Sequence, residues 1–255
     1  MIRRASIFIL VIALLVVGAS AAHAQTNSVG LVPFKVNFGV EGSQQPKDVD
    51  IGIKILFAIT LLTVAPSLLL LMTCFTRIVI VLSFVRTALS LQGTPANQII
   101  IGLSLFMTFF IMAPTWEKIN HDALQPYTAS QITGETALEK ASAHIRTFLL
   151  RQARAKDVEL FVELAKLPPT PPDQLPLRVV IPGFIVSELR TAFQMGFLLF
   201  VPFILIDLVV ATVLMSMGMM MMPPMTISLP LKLLLFVLVD GWSLVVRSLI
   251  QSFVT

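Results

Sequence analysis

The chain has 255 residues, 56% of them hydrophobic and only 13% charged, and its formal net charge is +4. Soluble domains carry about 25% charged residues, so this balance points to a membrane-associated protein. The positive charges are spread out with no basic cluster, which argues against nucleic-acid binding.

Residues 1–24 have the form of a secretory signal. Arg3 and Arg4 give the positive end, Ala5 to Val17 the apolar stretch, and Ala22-His23-Ala24 a small-x-small cleavage site. Cleavage after Ala24 would leave Gln25 as an exported N-terminus; the competing reading is an uncleaved anchor helix. Cys74 is the only cysteine, which excludes an intrachain disulfide and a Cys-based metal centre. Residues 25–50, rich in Gly, Ser and Gln with scattered charges, read as a poorly ordered exported tail.

A first helical hairpin is expected over 51–116, with two spans. The 18 residues from Ile55 to Met72 carry no charge, enough for a spanning helix, and Pro66 predicts a kink in it. Apolar character continues through Ile78–Val85, between Arg77 and Arg86. Gly93 and Pro95 mark a turn, and the run Ile99 to Thr115 leads back.

Residues 117–181 hold sixteen of the thirty-two formal charges, eight of each sign, and form a water-facing insert. Thr136-x-x-Glu139 has the spacing of a capping box, with Leu138, Ala141, Ile145, Phe148 and Leu149 along one helical face. Asp157 is placed to cap a second short helix bearing Leu160, Phe161 and Leu164. A Pro-rich linker from Pro168 to Pro176 closes the insert.

The stretch 182–255 reads as a second hairpin, with helices near 184–216 and 229–252. Its turn, 215–225, holds seven of the chain's twelve methionines, including Met219-Met220-Met221-Met222 ahead of Pro223-Pro224. Met is flexible and polarizable, so this cluster is either a deformable hairpin tip packed on another helix or a yielding seal in a pore. An exported N-terminus and four crossings would put Arg77 and Arg86 on the inner side, as the positive-inside rule expects.

Glu188, Arg190, Asp207, Lys232, Asp240 and Arg247 interrupt the C-terminal helices. Each would cost about 2.5–3.5 kcal/mol at a lipid-facing helix centre, so partners are expected. Lys232, Asp240 and Arg247 fall near one helical stripe, and Glu188 or Asp207 could meet Lys232 within a chain or between chains. A proton or ion relay is the functional alternative. The only histidines after the signal, His121 and His144, lie far apart in the insert. HExxH, GxSxG and phosphate-cradling glycine loops are missing, so neither catalysis nor a cofactor is expected.

Several blocks are similar to one family: Phe75-Thr76-Arg77-Ile78, Leu105 to Met112, Phe148-Leu149-Leu150-Arg151-Gln152, Ser187-Glu188-Leu189, Thr191-Ala192-Phe193-Gln194, Gly218 to Pro224, and Phe236 to Trp242. On these the chain resembles the FliP family, core components of the bacterial type III flagellar export gate. The resemblance implies a non-enzymatic, all-α protein of long kinked helical hairpins with a small exported helical insert. It implies five copies assembling in a helical ring with FliQ and FliR at the flagellar basal body of the inner membrane, among other export-apparatus proteins. Unfolded flagellar proteins would be the cargo. A pore gasket is implied for Met219, Met220 and Met221, with Met222 beside them where some relatives carry Val. Phe148 and Phe161 match positions that narrow the channel, although on residue pattern alone core packing explains both equally well. Glu188 and Lys232 match an intersubunit salt bridge. A secondary transporter for a small solute is the rival reading; it would call for internal symmetry, and no repeat is visible.

Overall fold

The computed structural model describes residues 46–91, 93–219 and 223–254. The signal with its Ala24–Gln25 junction, the tail through residue 45, and Met220, Met221 and Met222 lie outside the described residues. The chain divides into two compact units, Met1–Lys54 and Ile55–Thr255; of the first, only residues 46–54 are described.

Every regular element among the described residues is helical, as the composition predicts. Helix α1 (Pro46–Leu71) contains the uncharged run and has Pro66 inside it; its start takes in residues 46–50, expected as tail. After a break at 72–74 comes α2 (Phe75–Ala88), whose Ile78, Val81, Leu82, Val85 and Ala88 recur at helical spacing and are at most 2% exposed. Burying each of the larger ones contributes about 1.5–3 kcal/mol. Helix α3 (Asn97–Thr128) follows the turn and contains a π-turn at Asn120–Leu124. The insert supplies α4 (Gly134–Gln152) and α5 (Ala155–Leu164). Helix α6 (Leu177–Ser216) runs 40 residues, with Pro182 and Pro202 inside it. At 1.5 Å per residue it is about 60 Å long, twice a hydrocarbon core. Helices α7 (Met225–Leu238) and α8 (Gly241–Val254) complete the order.

By length and composition, Gly52–Leu71, Asn97–Thr128 and Leu177–Ser216 can cross a membrane, and the bent α7–α8 pair makes a fourth if taken as one span. Helices long and apolar enough for the expected spans are therefore present, with three local differences. The C-terminal helix is not continuous: α7 and α8 meet at 63°. Asp240 takes a left-handed φ of 50°, which Asp tolerates better than most residues, and a side chain on Gly241 would strike the Phe236 ring at 2.3 Å. The stripe expected for Lys232, Asp240 and Arg247 is broken there. Second, α4 starts one turn earlier than the capping box predicts: Thr133 is the N-cap, its hydroxyl accepting from Thr136 N at 3.3 Å. Third, Asp157 does not cap α5, which starts after Arg154. Its carboxylate is buried and turned toward α6 instead.

One hydrophobic core centres on α2 and gathers Ala192 and Phe203 of α6, Phe236 of α7 and Leu249 of α8. A second joins the insert to the start of α6 through Leu149, Val158, Leu175, Val180 and Phe184. Gly183 allows that approach, because a Cβ there would sit 3.0 Å from Val158 Cα. The insert is thus packed on the helices that leave and re-enter it; α3 and α6 run past the expected boundaries at 117 and 181.

Candidate functional site

The methionine turn is built by its two helix ends. Helix α6 stops at Ser216, and Gly218 adopts φ 77°, a left-handed position that glycine fills without Cβ strain. The amides of Gly218 and Met219 return to Met215 O and Leu214 O, each at 3.1 Å, closing the last turn. Beyond the loop, Thr226 donates through both N and Oγ1 to Pro223 O. Met215, Met217, Met219 and Met225 are 42–67% exposed, so the described part of the turn is an apolar surface. Such surfaces mark contacts with protein or membrane.

Elsewhere on the helices, charges that the sequence left unassigned are paired across elements. The guanidinium of Arg77 on α2 engages the Glu188 carboxylate on α6 twice, Nε reaching Oε2 at 2.9 Å and Nη2 reaching Oε1. Arg77 Nη1 also donates to Ser252 O and Oγ of α8 at 2.9 and 3.0 Å, and the guanidinium lies 3.9 Å from the Phe253 ring centre. With side chains 2% and 0% exposed, the pair is sealed, and every strong group on it is occupied. Arg77, which has no acidic neighbour in sequence, is thus a buried and paired charge.

Lys232 Nζ donates to Asp207 Oδ2 at 2.6 Å and to Ser90 Oγ at 2.8 Å. Asp207 and Lys232 thus meet within the chain. Glu188 and Lys232 are each committed to other partners here, so the pairing implied by the resemblance is not formed within this chain. Asp240 is exposed and makes no ion pair among the described residues.

In the insert, Asp157 accepts from Ser187 Oγ at 2.9 Å and lies 3.5 Å from Arg190, while Ser187 Oγ accepts from Arg154 N at 3.0 Å. Phe148 is half-buried, packs on both cores, and has its ring centre 6.1 Å from that of Phe184. Phe161 is half-buried on α5. His121 and His144, distant in sequence, meet at one carboxylate: His121 Nδ1 lies 2.7 Å from Asp122 Oδ1 and His144 Nε2 lies 2.9 Å from Oδ2. The π-turn at Asn120–Leu124, which shifts helical register, is the local cause, and sequence periodicity gave no sign of it. Among the described residues no set of three or more His, Cys, Asp or Glu is arranged to hold a metal ion. Cys74 is fully buried and its thiol points to Thr108 O at 3.9 Å; burial pushes its pKa up to about 12.

The sequence pattern of the FliP family matches residues 58–249, a stretch that takes in most of both cores, the Arg77–Glu188 pair and the methionine turn. The chain belongs to the FliP family. It is 55% identical to the flagellar biosynthetic protein FliP of Bacillus subtilis over 212 residues, covering 83% of this chain and 96% of that one. The FliP proteins of Aquifex aeolicus and Treponema pallidum are 50% and 46% identical, over 79% and 87% of this chain and 86% and 83% of their own lengths. The family resemblance and the all-helical fold, with several helices long and apolar enough to cross a membrane, are borne out.

Proposed function

We propose that this FliP-family chain is a channel subunit of the flagellar type III export gate, passing unfolded flagellar proteins across the inner membrane. Several copies, five by family resemblance, would assemble with FliQ and FliR in a helical ring at the basal body, with the N-terminus exported. The observation that carries this reading is the division of the molecule into two kinds of surface. Four ionisable side chains of its long helices are tied to one another, in Arg77–Glu188 and Asp207–Lys232, while the exposed sides of α1, α3 and α6 are long and apolar. Such faces need protein or lipid against them.

The methionine turn supports a gasket role for Met219 to Met222. A ring of flexible apolar side chains dewets when closed and re-forms around any passing chain, whereas fixed hydrogen bonds would favour some guests over others. Phe148 and Phe161 are the proposed constriction. The half-burial of both leaves part of each ring free to face a channel, although Phe148 also packs on Phe184.

The test is co-expression of the chain with and without FliQ and FliR, extraction in mild detergent, and mass measurement. A discrete multimer that takes up both sister proteins is expected. A stable monomer indifferent to them would overturn the proposal and favour the transporter reading.

A further inference from the structure

We propose that a pocket between α2, α6 and α7 receives a phosphate group, supplied by a lipid headgroup. The pocket has a volume of about 620 Å³. That lies within the 300–1,000 Å³ typical of small-ligand sites. Its polar wall comes from Arg86 and Ser90 at the end of α2 and from Lys232 on α7; Phe200 of α6 and Met225 of α7 give it an apolar side.

Three groups there have donors to spare. Arg86 uses Nη1 on Asn97 Oδ1 at 2.5 Å, with Pro95 O at 3.5 Å, and no described residue engages its Nε or Nη2. A guanidinium carries five N–H donors in a plane that suits two phosphate oxygens at once. Lys232 spends two of three donors, on Asp207 and Ser90. Ser90 Oγ accepts from Lys232, so its own hydrogen has no acceptor among the described residues. Thr87, by contrast, donates to Ser83 O at 3.0 Å and is spent.

The charge balance sets the ligand's class. Among the described residues lining the pocket, Arg86 and Lys232 face one carboxylate, that of Asp207, leaving one positive charge unmatched there, and a phosphodiester carries one negative charge. Lys232 is 1% exposed and Arg86 half-buried, so an anion entering here meets cations in a partly dry setting, where the attraction exceeds that in open water. The apolar side selects the source. Inorganic phosphate gains nothing from Phe200 and Met225, whereas an acyl chain covers them. Basic pockets between membrane helices take lipid headgroups on the same grounds.

The test uses the full chain purified in non-ionic detergent. It is titrated with dioctanoylphosphatidylglycerol and, separately, with inorganic phosphate, and bound ligand is counted by native mass spectrometry. Saturable lipid binding is expected, weakened roughly tenfold or more by Arg86→Gln and less by Arg86→Lys. Binding of the lipid alone supports a membrane source. Displacement of lipid by inorganic phosphate supports the pocket but assigns the group to free phosphate. If Arg86→Gln fails to fold, Ser90→Ala, which keeps every charge, decides through an expected few-fold loss. Equal lipid binding in wild type and in the folded variants, or no binding of either probe, overturns the proposal.

Discussion

Arg77 and Glu188 stand 111 positions apart in the chain, yet their side chains form a two-pronged ion pair that is almost completely shielded from solvent. Removing one partner strands the other charge in the core. Arg77→Leu or Glu188→Leu alone is expected to cost about 3–5 kcal/mol, and the double replacement by apolar residues to recover most of it. Unfolding of each variant in detergent checks this. Equal losses in the double and the worse single variant would remove the coupling.

The same geometry bears on the proposed assembly. Glu188→Lys places a second cation against Arg77, which Lys232→Glu does nothing to relieve. The double variant is therefore expected to co-purify with FliQ and FliR no better than Glu188→Lys alone. Recovery by Lys232→Glu would instead establish the bridge between chains that the family resemblance implies.

Cys74 gives a pH signature. Its thiol is held protonated up to about 12, against 9.0 for a free cysteine, so the folded state keeps a proton that the unfolded state releases. This contribution is fully present below pH 9 and falls between pH 9 and 12, at no more than about 1.4 kcal/mol per pH unit. Maleimide labelling of the native protein at pH 8 should be slower than labelling of the unfolded chain by orders of magnitude. Comparable rates would mean that the thiol is accessible.

Gly183→Ala tests how the insert is seated. A Cβ meets the Val158 backbone at 3.0 Å, so α5 must move away from α6 and stretch the Asp157–Ser187 bond. An expected loss of about 1–3 kcal/mol should come with faster proteolysis of α5. Unchanged proteolysis would show that the neighbouring backbone yields freely.

For the gasket, replacing Met219, Met220 and Met221 together by Ala should let the assembled complex leak ions without preventing assembly. Planar-bilayer conductance is the measurement. An unaltered closed-state conductance would remove these residues from the seal.

What was legible in the sequence followed from patterns carried by many residues. The uncharged run 55–72 and the apolar stretch of α6 announce spanning helices by length alone, and the charge density of 117–181 announces the insert. Pairings set by three-dimensional packing were not legible. Nothing acidic lies near Arg77 in sequence, so its partner could not be read there, and Glu188 reaches it only once α6 folds back on α2. The bend at Asp240 was hidden for a related reason: one left-handed residue beside a glycine interrupts a helix without altering its apolar composition. The meeting of His121 and His144 at Asp122 depends on a single π-turn, too small to disturb periodicity.

The separation of Arg77 from Glu188 also has a meaning in time. At about 5–20 residues per second, a ribosome needs roughly 6–22 s to pass from one residue to the other. Throughout that interval the carboxylate that Arg77 pairs with in the fold has not yet been made, and α2, at 14 residues, is too short to span a bilayer by itself. The buried pair and the packing of α2 on α6 can form only after α3 and the insert have been made and α6 arrives. Final packing is thereby deferred until most of the chain has left the ribosome, and a chain cut short before Glu188 would keep an unmatched cation that quality-control proteases can reach.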